Sequence, residues 1–74
     1  MSKAYVLINV ERDLDITSRL KKIPEVKEVY RIYGIYDMIV KVETKDMKDL
    51  RKVVIERIRR INGVRSTMTL VVVS

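Results

Sequence analysis

Residues 26 to 43 read VKEVYRIYGIYDMIVKVE. Residues 26–33 and 37–43 are rich in β-branched and aromatic side chains, and each reads as a strand. Gly34 breaks the run between them, so the segment predicts a β-hairpin. Met38, Val40 and Val42 fall on one side of the second strand of that hairpin. Residues 4–11, AYVLINVE, read as an earlier strand with Ala4, Val6, Ile8 and Val10 on one face and Tyr5, Leu7 and Asn9 on the other. Between this strand and the hairpin the period changes. In residues 13–23, DLDITSRLKKI, the apolar positions Ile16, Leu20 and Ile23 repeat at i, i+4 and i+7, a helical stripe that Asp13 or Asp15 caps and Pro24 ends. After the hairpin, Thr44 or Asp46 caps a longer helix. Met47, Leu50, Val54, Ile58 and Ile61 form its inner stripe, with Val53 beside them. Asn62-Gly63 ends it, and residues 64–73, VRSTMTLVVV, read as a fourth strand.

The order is strand–helix–strand–strand–helix–strand. Ile23-Pro24-Glu25-Val26 and Ile61-Asn62-Gly63-Val64 each carry a helix end into a strand, a faint internal repeat. Two such βαβ halves with right-handed crossovers predict a ferredoxin-like α+β fold: a four-stranded antiparallel sheet with both helices on one face. The other face should then be polar in a monomer. Instead Tyr5 and Leu7 oppose the inner valines of the first strand, and Leu70, Val71, Val72 and Val73 make the last strand apolar on both sides. A second copy packed sheet to sheet is the economical cover. The plainer reading is that valines at a strand end are simply tolerated.

Seventy-four residues make a single domain, residues 1–74. A chain this short is marginally stable alone and usually needs a disulfide, a metal or a partner subunit. It contains neither Cys nor His, which removes disulfides, His/Cys zinc sites and thiol or imidazole catalysis, and leaves oligomerisation. No apolar run is long enough for a membrane span and no signal-peptide pattern opens the chain, so the expected location is cytoplasmic. The absence of Gln and the abundance of Lys, Arg and Glu fit a thermophilic source. The net charge of +6 permits contact with polyanions, but also serves solubility.

No catalytic residue, metal site or cofactor is predicted, and the chain is not expected to be an enzyme. Asp13 and Asp15 read as helix caps, and Asp46 and Asp49 as a first helical turn. Acylphosphatases share the predicted fold but carry an arginine-containing glycine loop after the first strand, where this chain has NVERDLD. An RNA-recognition sheet would expose aromatics on its central strands, and DMIVKVE has none. Lys48, Arg51, Lys52, Arg59 and Arg60 give the second helix a basic face that can touch phosphates or simply be solvated.

The polar constellation worth following is Gly34, Asp37, Thr67 and Thr69. The two threonines alternate, so their hydroxyls share a face. If the hairpin of one subunit met the fourth strand of another, amides near Gly34 and the threonine hydroxyls would donate to a carboxylate. Asp37 would accept from an ammonium group, and Tyr33 or Tyr36 would wall the site. The plainer reading makes Gly34 a turn residue, Asp37 a local hydrogen-bond acceptor and the threonines strand formers.

Residues 34–42, GIYDMIVKV, and 62–70, NGVRSTMTL, resemble the G-x-x-D turn and the later G-V-x-x-S/T-x-T strand of the RAM domain of Lrp/AsnC-type regulators, a domain akin to ACT domains. AYVLINVE resembles that domain's first strand, so the likeness spans essentially the whole chain. The resemblance implies a module of transcriptional regulation that senses an effector and oligomerises. Its members pair sheet to sheet, join as dimers into rings, commonly octamers, and bind amino acids or related small molecules between dimers. Carried over, the ligand-binding positions are Tyr33, Gly34, Asp37, Thr67 and Thr69, with Ser66 expected on the opposite side from the threonines. Lrp-type regulators also carry a helix-turn-helix domain, which this sequence does not contain. The resemblance therefore implies a stand-alone RAM protein that does not contact DNA directly and that senses an amino acid or co-assembles with full-length Lrp-type regulators. The alternatives are a nucleic-acid-binding module using the basic helix and a ligand-free scaffold.

Overall fold

In a computed structural model, which describes residues 1–74 apart from the side chain of Asp13, the strand β1 (Ser2–Val10) is central and pairs on both sides. β3 (Met38–Thr44) runs antiparallel along one side of it, and β4 (Val64–Val71) along the other. β2 (Val26–Arg31) pairs with β3, giving the sheet order β2-β3-β1-β4. A short helix α1 (Thr17–Lys21) and a longer one, α2 (Met47–Lys52) continued as a π-helical turn (Val53–Ile58), complete the expected ferredoxin-like α+β arrangement.

The alternation read in β1 is realised. Ala4, Val6, Ile8 and Val10 are buried beneath the helices, against Met38, Val40 and Val42 of β3. Ile16, Leu20 and Ile23 from α1 and its flanks, with Val53, Val54 and Ile58 from α2 and its continuation, close this core.

α1 is shorter than the expected 13–23. Two local preferences compete with the helix. Asp15 Oδ1 accepts from the Thr17 amide at 3.0 Å, a turn that aspartate favours over helical backbone. Upstream, Glu11–Asp13 forms a single 3₁₀ turn in which Arg12 adopts left-handed φ 51°, ψ 36°. At the other end Pro24 disfavours helical backbone at Ile23. Of the two proposed caps for α2, Asp46 is the one used. Its carboxylate accepts from the Asp49 amide at 2.8 Å, while the buried Thr44 hydroxyl donates to the Asp46 carbonyl at 2.7 Å. The consecutive β-branched residues Val53, Val54 and Ile55 crowd an α-helical turn. The backbone widens there, and the Arg59 amide reaches back five residues to the Val54 carbonyl at 2.9 Å.

Gly63 closes the α2–β4 connection at φ 102°, and its carbonyl accepts from the Glu11 amide at 2.8 Å. A Cβ added there would lie 2.7 Å from Leu14 Cδ1. Gly63→Ala is therefore expected to destabilise the domain by about 1–3 kcal/mol, measured by urea unfolding, through backbone strain together with a displaced Leu14.

The sheet face away from the helices carries the apolar residues anticipated. Leu7 of β1 lies between Ile39 of β3 and Met68 of β4, with Tyr5 and Leu70 paired beside it and Tyr30 opposite Ile39. Met68, Leu70 and Tyr30 are each about half exposed, at 46%, 49% and 55%. A polar cluster borders them. Tyr30 donates to Glu28 at 2.7 Å, and Lys41 sits 3.4 Å from Glu28 and 3.3 Å from Glu43. The Tyr30 hydroxyl holds the Glu28 carboxyl below its usual 4.5, and the same bond raises the Tyr30 phenol above its own ordinary value.

Candidate functional site

β2 ends at Arg31, two residues short of the expected 33, because the hairpin closes there. The Ile32 amide donates to the Asp37 carbonyl at 2.9 Å, and residues 33–36 form the turn. Gly34 holds φ 138°, a region side-chain-bearing residues rarely enter, so the turn depends on that glycine. Tyr33 at its tip is fully exposed, Ile35 nearly so, and Tyr36 is partly buried.

Asp37 sits where the hairpin meets the end of β1. Its amide donates to the Ile8 carbonyl at 3.0 Å, and its Oδ2 accepts from the Val10 amide at 2.9 Å. The β1–β3 register ends at Ile8 opposite Met38, so the carboxylate supplies the next rung of the ladder in place of backbone. Among the described residues Oδ1 has no hydrogen-bond partner. The carboxylate at the mouth of an apolar strand is thus both a structural acceptor and an available charge.

Two hollows flank this carboxylate and share it. The first, about 440 Å³, is lined by Leu14, Arg31, Tyr33, Gly34, Asp37 and Met38, among others. The second, about 520 Å³, is lined by Asn9, Arg12, Ile35, Asp37, Arg65 and Ser66, together with Val10. Three of the expected positions, Tyr33, Gly34 and Asp37, therefore meet in one hollow.

Thr67 and Thr69 do not join them within one chain. They pair with Ile8 and Val6, which places both on the helix side of the sheet, as their alternation required. β4 and β3 lie on opposite sides of β1, two strand spacings or roughly 10 Å apart. Neither threonine lines either hollow. Thr69 remains exposed, because the helices do not extend over that edge strand. Ser66 takes the opposite face and receives the Asn9 side-chain amide at 3.4 Å, so it reaches the second hollow.

Sequence reading passed over Arg12 and Arg65. Arg65 is the extra residue of a β-bulge: Asn9 pairs with Ser66, but Val10 pairs with Val64. A bulge leaves one residue unpaired and re-aims its side chain. Arg12 owes its direction to a left-handed backbone that costs about 1–2 kcal/mol for a residue other than glycine. Neither irregularity has a local sequence signal. The basic residues Lys48, Arg51, Lys52, Arg59 and Arg60 of the second helix all face outward.

Residues 3–74 match the family model of the Lrp/AsnC ligand-binding domain. The chain belongs to that family, which makes it a regulatory, effector-binding module. The crystal structure of FFRP-DM1 is 39% identical, with 99% of this chain and 100% of that one covered, at a TM-score of 0.89. Escherichia coli AsnC is 29% identical over 99% of this chain and 51% of its own length, at a TM-score of 0.90. The Neisseria meningitidis transcriptional regulator NMB0573, solved as a complex with L-methionine, shares the fold at 18% identity and a TM-score of 0.90, over 99% of this chain and 50% of its own. This chain thus spans about half the length of these two regulators. Sequence comparison with curated proteins finds no match.

Proposed function

We propose that this domain binds an amino acid at the Gly34–Asp37 turn and couples that binding to self-association. The observation that carries the reading is Asp37: a carboxylate anchored by the Val10 amide at 2.9 Å and placed between two open hollows. An ammonium group is its natural partner, through a charge-assisted hydrogen bond. The fold relative from Neisseria meningitidis, solved with L-methionine, supports this ligand class.

The apolar face around Leu7 supports a sheet-to-sheet dimer, and two features support a larger assembly such as an octamer. Tyr33 and Ile35 project from the hairpin without cover, and Thr67 and Thr69 lie on an edge strand that the helices leave open. In such an assembly the threonines of one dimer meet the hairpin of the next and donate to the ligand carboxylate. A ligand held between dimers favours the assembly that forms its site. Full-length Lrp-type regulators with the same sheet are candidate hetero-oligomer partners.

Substitutions at Asp37 separate its two tasks. Asp37→Asn keeps an oxygen for the Val10 amide and is expected to cost at most about 1 kcal/mol of stability, yet to abolish stabilisation by ligand. Asp37→Ala loses both and is expected to cost about 1–3 kcal/mol. A thermal-shift panel of the twenty amino acids reads the ligand effect, since a ligand at one hundred times its Kd adds about 2.7 kcal/mol. A panel in which no amino acid stabilises the native sequence would sink the proposal.

A further inference from the structure

The second hollow carries a charge pattern that narrows the ligand. Two arginines, Arg12 and Arg65, and one aspartate, Asp37, are among the residues lining it, with the neutral hydrogen-bonding residues Asn9 and Ser66. Among the described residues neither guanidinium has a carboxylate partner, whereas Arg31 on the other side of the turn is paired with Asp15 at 4.0 Å. Both arginines stand at backbone irregularities: Arg12 at φ 51° and Arg65 at the bulge opposite Asn9 and Val10. Left-handed backbone at a bulky residue and bulges both concentrate where a side chain must be aimed at a ligand. Here two independent irregularities converge on one hollow, at the Asn9–Ser66 end of the sheet and beyond the apolar patch centred on Leu7.

We infer that this hollow selects an amino dicarboxylate, an acidic amino acid of the aspartate or glutamate type. This rests on Asp37 being the ammonium acceptor proposed above. With the ammonium on Asp37, one carboxylate meets Arg65 and the other meets Arg12. Each guanidinium offers the planar pair of donors that a carboxylate accepts. The Ser66 hydroxyl, already accepting from Asn9, has its proton free to donate to the carboxylate nearer Arg65. The charges balance: two positive and one negative on the protein, one positive and two negative on the ligand. A neutral amino acid leaves one arginine unpaired, and a dicarboxylate without an amine leaves Asp37 facing a second anion.

Titration calorimetry of the intact protein at moderate salt tests this with L-glutamate, L-aspartate, L-leucine, L-alanine, succinate and inorganic phosphate. An acidic amino acid is expected to bind at least about tenfold more tightly than leucine, alanine, succinate or phosphate. Arg65→Gln and Arg12→Gln, made singly, are each expected to weaken it by about ten- to hundredfold, whereas leucine and alanine, with one carboxylate, are expected to be weakened by only one of the two substitutions and changed less than about twofold by the other. Circular dichroism confirms that each variant is folded. If neutral amino acids bind and acidic ones do not, the inference falls while the Asp37 reading stands. The same holds if glutamate and aspartate bind but neither arginine substitution weakens them. Phosphate binding as tightly as glutamate would reduce the hollow to a general anion trap and also overturn the inference. Absence of binding by every amino acid would overturn both readings.

Discussion

Leu7→Asp is expected to turn the proposed sheet-to-sheet dimer into a monomer while leaving its strands and helices in place. Leu7 is at the centre of the sheet face away from the helices, paired with Ile39 on one side and Met68 on the other. In a symmetric sheet-to-sheet dimer the substitution acts twice, once from each subunit. A buried, unpaired carboxylate costs about 3–5 kcal/mol. Two of them weaken association by about 6 kcal/mol or more, at least roughly 10⁴-fold in Kd. Native mass spectrometry and sedimentation read the assembly, and far-ultraviolet circular dichroism reads the fold. A variant that stays dimeric with an unchanged Kd would show that this face is not the interface.

Leu20→Ala is expected to remove a large share of the domain's folding stability. Leu20 is fully buried and is the one buried residue within the five residues of α1. That helix is far too short to persist through its own hydrogen bonds, so packing holds it. Truncating a buried leucine costs about 2–5 kcal/mol, depending on how far the cavity relaxes. A domain of 74 residues has roughly 4–11 kcal/mol in total. The loss is read by urea unfolding at fixed protein concentration, because assembly adds to apparent stability. An amino acid that binds the native state should recover part of it. A loss below about 1 kcal/mol would show that α1 contributes little to the core.

The two predictions draw on different parts of the sequence. Leu20 could be placed from periodicity, since Ile16, Leu20 and Ile23 are a helical stripe however the rest of the chain folds, and all three are buried. The length of that helix could not. The competition between the Asp15 turn and helical backbone is settled by the path from β1, which the Glu11–Gly63 hydrogen bond constrains across the molecule. Leu7 was legible as an outward residue of β1. Its neighbours Ile39 and Met68 depended on the register of two long-range pairings. The widening of α2 over Val53–Ile58 was also hidden, because the apolar spacing there fits an ordinary α-helix.

The site divides in the same way. Gly34 and Asp37 stood out as a glycine turn before an apolar strand, and Tyr33, Gly34 and Asp37 do share a hollow. Alternation correctly put Thr67 and Thr69 on one face and Ser66 on the other. From the sequence by itself came the element order, the two faces of each strand and the turn, since all of these rest on local periods of about 2 and 3.6 residues and on glycine's backbone freedom. Only the tertiary structure decided that the threonines lie on the helix-side face of an edge strand the helices leave open, that Asp37 replaces a backbone rung for Val10, and that Arg65 lines the same hollow as Arg12. By strict alternation Arg65 would share the face of Thr67 and Thr69. One unpaired residue in the ladder against β1 re-aims it, and whether that bulge forms is set by pairing with a strand more than fifty positions away in the chain.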